Sequence, residues 1–170
     1  MRVYLPSTLT LLAEWHAEGA VPTPGDASPG LVYAVTGTLR EWYREADIDE
    51  LEHAAQVAAA VASLDLLVAD PRAQRRRVLL AADLEGDEVV PLAEFGRAAM
   101  RRRSVVPLGS WACALIDSAD AEPAVAAALD VLEQAHGGDD DAQFLVDELE
   151  DHDLGWYAVQ ELDRLTEHLR

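Results

Sequence analysis

The stretch RRRVLLAADL, residues 75–84, constrains the fold more than any other part of the chain. Its five central residues are all apolar, a pattern typical of a β-strand that is covered on both faces. The run WACALID, residues 111–117, is a second strongly apolar segment and predicts another strand. Two such strands require a sheet with other elements packed against it.

Helical patterns separate the predicted strands. The longest predicted helix runs from Ile48 to about Ala69, where Leu and Ala recur at i, i+3 and i+4 spacing. Asp47 followed by Glu50 is a variant of the capping box that begins a helix, and Asp70–Pro71 ends it. The remaining expected elements are strands at residues 2–5 and 31–36, and helices at residues 9–18, 36–43, 91–103, 122–135, 140–150 and 153–169.

The order of these elements is β-α-β-α-α-β-(α)-β-α-α. It predicts one α/β domain over residues 1–170, with a sheet of about four strands, helices packed against it and a C-terminal helical pair. We expect the sheet to be mostly parallel, because crossovers through helices normally connect parallel strands. A split, ferredoxin-like α+β sheet is the alternative. The Gly/Pro-rich residues 19–30 are expected to form a loop, and no linker is long enough to divide the domain.

Composition excludes several classes of function. The chain carries a net charge of −19 and has no lysine, so all 13 of its basic residues are arginine. A Walker A motif and a Schiff-base enzyme both need lysine. The negative charge opposes binding to nucleic acid and to anionic membranes. Cys113 is the single cysteine, which excludes an internal disulfide, and its apolar surroundings predict a buried, inert thiol. We expect a cytoplasmic protein without a cofactor.

Arginines and aspartates bracket the two main strands. An arginine cluster precedes each strand and an aspartate, Asp83 or Asp117, ends it. If the strands are parallel neighbours, both aspartates lie at the carboxyl edge, where open α/β sheets bind ligands. If the strands are antiparallel, each aspartate faces the other strand's arginines and ion pairing is the simpler account. Asp117 is also a natural N-cap for the next helix. The candidate ligand-binding residues are Asp83, Asp117, Arg76 and Arg102.

The segment EDHDLGWYAVQEL, residues 150–162, could bind a metal or form a helix. Asp147 and Asp151 would share one helical face, and a hard divalent ion could use both carboxylates with His152. Residues 139–153 contain eight acids and no arginine, however, and such a run is usually a solvated face. We therefore predict no metal site here, and expect Trp156 and Leu162 to lie on the buried stripe of a final helix.

Several segments together resemble a known but uncharacterised family. They are MRVYLPSTL, YAVTGTLREWY, DELEHAA, RRRVLLAADL and DHDLGWYAVQEL. The chain resembles, over most of its length, a family of small acidic actinobacterial proteins with a domain of unknown function. The resemblance implies a GC-rich genome, which also fits the absence of lysine, and a cytoplasmic location. It implies no activity, cofactor or catalytic residue.

The function that this sequence favours is a non-catalytic one, exercised through contacts with a protein partner. The alternative is an enzyme that is metal-dependent or acts on a phosphorylated ligand. A deep pocket would favour the enzyme if several of these residues converge in it: Arg2, Arg40, Arg76, Arg102, Asp83 and Asp117. The oligomeric state stays open.

Overall fold

The computed structural model describes residues 1–25 and 30–167. These residues form the strands β1 Arg2–Ser7, β2 Ala20–Val21, β3 Leu31–Ala34, β4 Val78–Asp83, β5 Val89–Pro91, β6 Ala99–Arg102, β7 Val106–Pro107, β8 Trp111–Asp117 and β9 Leu154–Ala158. They also form the helices α1 Leu9–Glu18, α2 Gly37–Trp42, α3 Ile48–Ala69, α4 Glu122–His136, α5 Asp140–Asp147 and α6 Leu162–Thr166. Short 3-10 turns join several of these elements.

The main sheet has seven strands in the order β5-β6-β3-β1-β4-β8-β9, and every neighbouring pair is antiparallel. Strands β2 and β7 form a separate two-stranded sheet. The expected four-stranded, mostly parallel sheet is therefore wrong. Strands β3 and β4 follow helical connections, as expected, but both lie beside β1 and run antiparallel to it. The helical connections therefore do not form the crossovers that join parallel strands.

Two segments expected to be helical are instead strands. Residues 91–103 contain the end of β5 and all of β6, and residues 154–158 form the edge strand β9. Neither segment has a strong local strand pattern. Each acquires its conformation from a distant partner, since β6 pairs with β3 and β9 pairs with β8. The predicted C-terminal helical pair is thus reduced to α5 and the short α6.

Strand β4 is covered on both faces, as its sequence predicts, and each of its five apolar residues is fully buried. Val78, Leu80 and Ala82 face α1, α6 and the β2–β7 sheet. Leu79 and Ala81 face α2 and the first half of α3. The strand lies between two apolar layers, which fixes its register because a shift by one residue would exchange the two faces.

Helix α3 begins and ends where the sequence predicts, with both hydrogen bonds of the Asp47–Glu50 capping box present. Its first half packs on the sheet, and Leu64 and Leu67 in its second half pack against α4 and α5. By length and composition alone, α3 could cross a membrane, but core helices of folded domains meet the same criterion. Its contacts with the sheet are those of a core helix.

Candidate functional site

The two candidate aspartates lie at opposite ends of the β4–β8 ladder. The ladder pairs Val78 with Ile116 and Ala82 with Trp111 in antiparallel register. Asp117 therefore lies beside the start of β4, and Asp83 lies about 20 Å away along the strand, at roughly 3.4 Å per residue. The antiparallel arrangement excludes a shared carboxylate site and leaves the ion-pair account.

Asp117 is buried in an ion pair with Arg77. The guanidinium Nε and Nη2 atoms donate to the two carboxylate oxygens at 2.9 and 2.8 Å, and the Arg77 backbone N–H donates at 2.7 Å. Asp117 does not cap the following helix, because α4 begins only at Glu122 and its N-cap position is Ala121, without a side-chain cap bond. This ion pair links the residue before β4 to the last residue of β8.

Asp83 and Arg76 also have partners of their own. Arg2 donates to both Asp83 oxygens at 2.9 and 3.1 Å, and this hydrogen-bonded guanidinium holds the pKa of the Asp83 carboxyl below its usual range. Arg76 donates to Glu122 at 2.7 Å. Three of the four candidate ligand-binding residues are thus neutralised by neighbours.

Arg102 is the exception among the four candidates. Its side chain is buried at the end of β6 and is only 8% exposed. Nη1 donates to the carbonyl oxygen of Ser104 at 2.7 Å, but no described carboxylate forms an ion pair with the guanidinium. Burial lowers the pKa of Arg102, because the charged form is poorly solvated there.

Arg102 lines a cavity of about 480 Å³, which we call the β1–β3 cavity. Strands β1 and β3 pair only at Val3–Ala34 and Tyr4–Tyr33, and beyond these pairs the cavity opens between them. Most of its wall is apolar or aromatic, from Leu5, Leu11, Trp15, Leu31, Leu66 and Phe95. The sequence identified Arg102 but not this wall, because the wall comes from five separate parts of the chain.

Tyr33 and Asp65 bring two further polar groups to the β1–β3 cavity. Tyr33 is 6% exposed, and burial together with the nearby Asp65 charge raises the pKa of its phenol to about 12. The phenol is therefore a neutral hydrogen-bonding group at any physiological pH. Asp65 lies at the outer part of the cavity, and its side chain is 60% exposed. Its Oδ1 atom is 3.9 Å from Nε2 of His136.

A larger depression of about 750 Å³ lies between α2 and the start of α3, bordered by Trp42, Tyr43 and His53. It is wide open to solvent, and its charged side chains Arg44 and Glu45 are exposed. A shallow surface of this kind does not desolvate a charge. We therefore regard the β1–β3 cavity as the better candidate for a small-molecule site.

The three weak metal candidates are not gathered into one site. Asp147 accepts a hydrogen bond from Gln143 at 2.7 Å, Asp151 is exposed, and the backbone carbonyl of His152 accepts from Arg77 at 2.8 Å. Within residues 1–25 and 30–167, no group of three or more His, Cys, Asp or Glu side chains is placed to hold a metal ion. The acids of residues 139–153 are all exposed, as expected.

Trp156 lies on β9, and its position contradicts the sequence-based expectation. The side chain is 62% exposed rather than buried, because residues 154–158 form a strand with period two instead of a helical stripe. Leu162 is fully buried, as expected. Cys113 is also buried, and burial raises the pKa of its thiol.

Strand β9 forms one edge of the main sheet and, among the described strands, pairs only with β8. Its sequence LGWYA contains neither a charged residue nor a proline. Exposed acids flank it on both sides, namely Glu150, Asp151 and Asp153 before it and Glu161 after it. We call these five strand residues with their four acids the β9 edge.

A family model matches residues 1–166 of this chain. The chain belongs to DUF6912, a family of unknown function. This membership confirms the resemblance to a domain of unknown function, whereas the actinobacterial origin stays a prediction. No curated protein and no solved structure matches this DUF6912 member. Its function must therefore be inferred from its own geometry.

Proposed function

We propose that this DUF6912 protein is a non-catalytic interaction domain that binds an extended, basic segment of a protein partner at the β9 edge. The observation that carries the proposal is an uncharged, proline-free edge strand with an exposed tryptophan and acids on both sides. A cytoplasmic location, without direct contacts to nucleic acid or membrane, is part of the same proposal.

An open edge strand presents unpaired backbone N–H and C=O groups that can pair with another chain. Proteins usually protect such edges with lysine, proline, bulges or a covering element. Strand β9 has no charged or proline residue of its own. Addition of a partner strand to such an edge is an established mode of peptide recognition, in which backbone hydrogen bonds supply affinity and alternate side chains supply specificity.

Trp156 gives this edge a side chain suited to binding. It lies in register opposite Leu115 and exposes 62% of its surface. Tryptophan is enriched among the residues that dominate binding energy at protein interfaces. A partner strand along β9 would bring a side chain beside Trp156 and cover its exposed ring.

The flanking charges select the kind of partner. Glu150, Asp151 and Asp153 precede β9 and Glu161 follows it, and the whole chain carries a net charge of −19. A basic segment is attracted to such a surface, and complementary charge accelerates association. A second copy of the same edge would instead bring two sets of acids together, which opposes self-pairing.

The enzyme alternative lacks the feature that would favour it. The clustered arginines and the aspartates do not converge in a pocket, because Arg2 pairs with Asp83, Arg76 with Glu122 and Arg77 with Asp117. Charges that neutralise one another in this way are not available to a phosphorylated substrate. The interaction domain is therefore the function that the geometry supports better.

The test uses a short peptide of alternating arginine and valine, with a peptide of alternating glutamate and valine as its charge-reversed control. Amide hydrogen exchange of the full chain should show new protection within residues 154–157 with the basic peptide and none with the acidic one, since the Ala158 N–H already donates to Glu161 at 2.8 Å. The Trp156→Ala variant should bind about tenfold more weakly, since truncating an interface tryptophan commonly costs well over 1 kcal/mol.

Trp42→Ala is the matched control, because Trp42 is 61% exposed on α2 and outside the β9 edge. It should bind as the unmodified chain does. Protection spread over the whole acidic surface, or equal losses in both tryptophan variants, would show non-specific attraction and overturn the proposal. Sedimentation that reveals a dimer with β9 protected in the absence of peptide would replace the partner with a second copy.

A further inference from the structure

The β1–β3 cavity contains a buried charge that no described acid neutralises through an ion pair. Arg102 is 8% exposed and, among the described residues, forms no ion pair with an acid. A buried cation without a counterion is costly, because it loses hydration and gains no compensating charge. Arginine cannot relieve this cost by losing its proton under physiological conditions.

The geometry points to the β1–β3 cavity as a binding site for a small monocarboxylate with an aromatic or aliphatic body. The Arg102 guanidinium would hold the carboxylate, and its fork of N–H groups matches the two carboxylate oxygens. Leu5, Leu11, Trp15 and Phe95 would enclose the apolar body. This site lies apart from the β9 edge and does not depend on the proposed function.

Hydrogen bonding within the cavity supports this ligand class. Of the guanidinium nitrogens of Arg102, Nη1 donates to the carbonyl oxygen of Ser104, and no other guanidinium nitrogen donates to a described residue. The Tyr33 hydroxyl is a neutral group on the same cavity wall, and its raised pKa has no hydrogen bond among its causes. Small-molecule sites usually have a largely apolar wall with a few polar groups.

Asp65, which is the other charged side chain among the described residues of the cavity, limits the ligand to a single negative charge. Asp65 lines the outer part of the cavity and is a carboxylate itself. A nucleotide or another polyphosphate would place several negative charges beside Asp65 and against one arginine, which like-charge repulsion opposes. A cavity of about 480 Å³ is also within the range that encloses a small organic acid.

The test compares naphthalene-1-acetate with its uncharged amide, naphthalene-1-acetamide, by calorimetry and thermal unfolding of the full chain. The two probes share one apolar body and differ in charge. The carboxylate should bind at least about tenfold more tightly than the amide, since hydrogen bonds to charged groups are the stronger ones. The carboxylate should also raise the melting temperature, because it stabilises the state that binds it.

Arg102→Gln should remove the preference for the carboxylate, leaving both probes equally weak. Arg101→Gln is the matched control, because Arg101 is the adjacent residue of β6 and is exposed. It should bind as the unmodified chain does. Arg102→Gln removes a buried charge that forms no ion pair with a described residue, so it should melt no lower than the unmodified chain. Tyr33→Phe provides a second variant, which removes a single hydroxyl from the cavity wall.

Equal binding of the two probes, or an unchanged preference in Arg102→Gln, would overturn the inference. So would the absence of binding by either probe at millimolar concentration. Competition by inorganic phosphate as effective as that of the naphthalene carboxylate would show an anion site without use of the apolar wall, and would overturn the assigned ligand class as well.

Discussion

Arg77 and Asp117 form a buried ion pair inside the protein, with side chains that are 5% and 0% exposed. Besides its bonds to Asp117, the Arg77 guanidinium donates to the backbone carbonyl of His152 at 2.8 Å. One buried guanidinium thus joins the start of β4, the end of β8 and His152, which lies two residues before β9. The proposed interaction edge is positioned by this contact.

Asp117→Asn should lower the free energy of unfolding by about 3–5 kcal/mol, because it leaves the Arg77 charge buried without a counterion. Asp83→Asn is the matched control, since the Arg2–Asp83 pair is 36% and 59% exposed. It should cost less than about 1 kcal/mol, as exposed ion pairs do. Chemical denaturation at neutral pH measures both. Similar losses in the two variants would contradict a structural role specific to the Arg77–Asp117 pair.

Trp156→Ala should change the free energy of unfolding by less than about 1 kcal/mol, because surface substitutions remove little buried area. Trp111→Ala should cost about 3–5 kcal/mol. Trp111 is 7% exposed and its Nε1 donates to the carbonyl oxygen of Val106 at 3.2 Å. Thermal and chemical unfolding of the two variants provide the comparison. A large loss in Trp156→Ala would show that β9 depends on this side chain for folding rather than for binding.

Tyr33 should make stability fall at high pH. Its folded-state pKa is raised to about 12 by burial and by Asp65, whereas an unfolded tyrosine titrates near ~10. The contribution is fully present below pH ~10 and is lost as the pH rises through the folded value, by at most about 3 kcal/mol. The free energy of unfolding, measured by chemical denaturation at pH values from ~9 to ~12, should fall less steeply with pH in Tyr33→Phe than in the unmodified chain. An equal pH dependence in the two proteins would refute this assignment.

Asp47→Ala should destabilise the chain by about 1 kcal/mol through the loss of an N-cap. The Asp47 carboxylate accepts from the Glu50 N–H at 2.9 Å, and the Glu50 side chain accepts from the Asp47 N–H at 2.9 Å. Asp49→Ala removes the same charge from the same exposed turn without a cap bond, so it should cost less. Equal costs in chemical denaturation would assign the effect to the helix dipole instead of the cap.

Local sequence determined the elements whose patterns are self-contained. Helix α3 follows from its apolar spacing, the Asp47–Glu50 cap and the Asp70–Pro71 stop, and its observed bounds agree. Strand β4 follows from five consecutive apolar residues, which are buried from both sides. Such features can be predicted because their causes lie within one or two turns or within a single strand.

Tertiary structure decided what depends on partners far along the chain. Strands β6 and β9 form through backbone pairing with β3 and β8 respectively. The local sequence of the two segments did not distinguish a strand from a helix. Strand direction decided which partners the candidate residues have. Because β4 and β8 are antiparallel, Asp117 lies beside Arg77 and pairs with it, and Asp83 lies at the opposite end of the β4–β8 ladder. Among the described residues, the same packing left Arg102 buried without an ion pair, because charge neutralisation depends on which side chains meet across the sheet and not on their order in sequence.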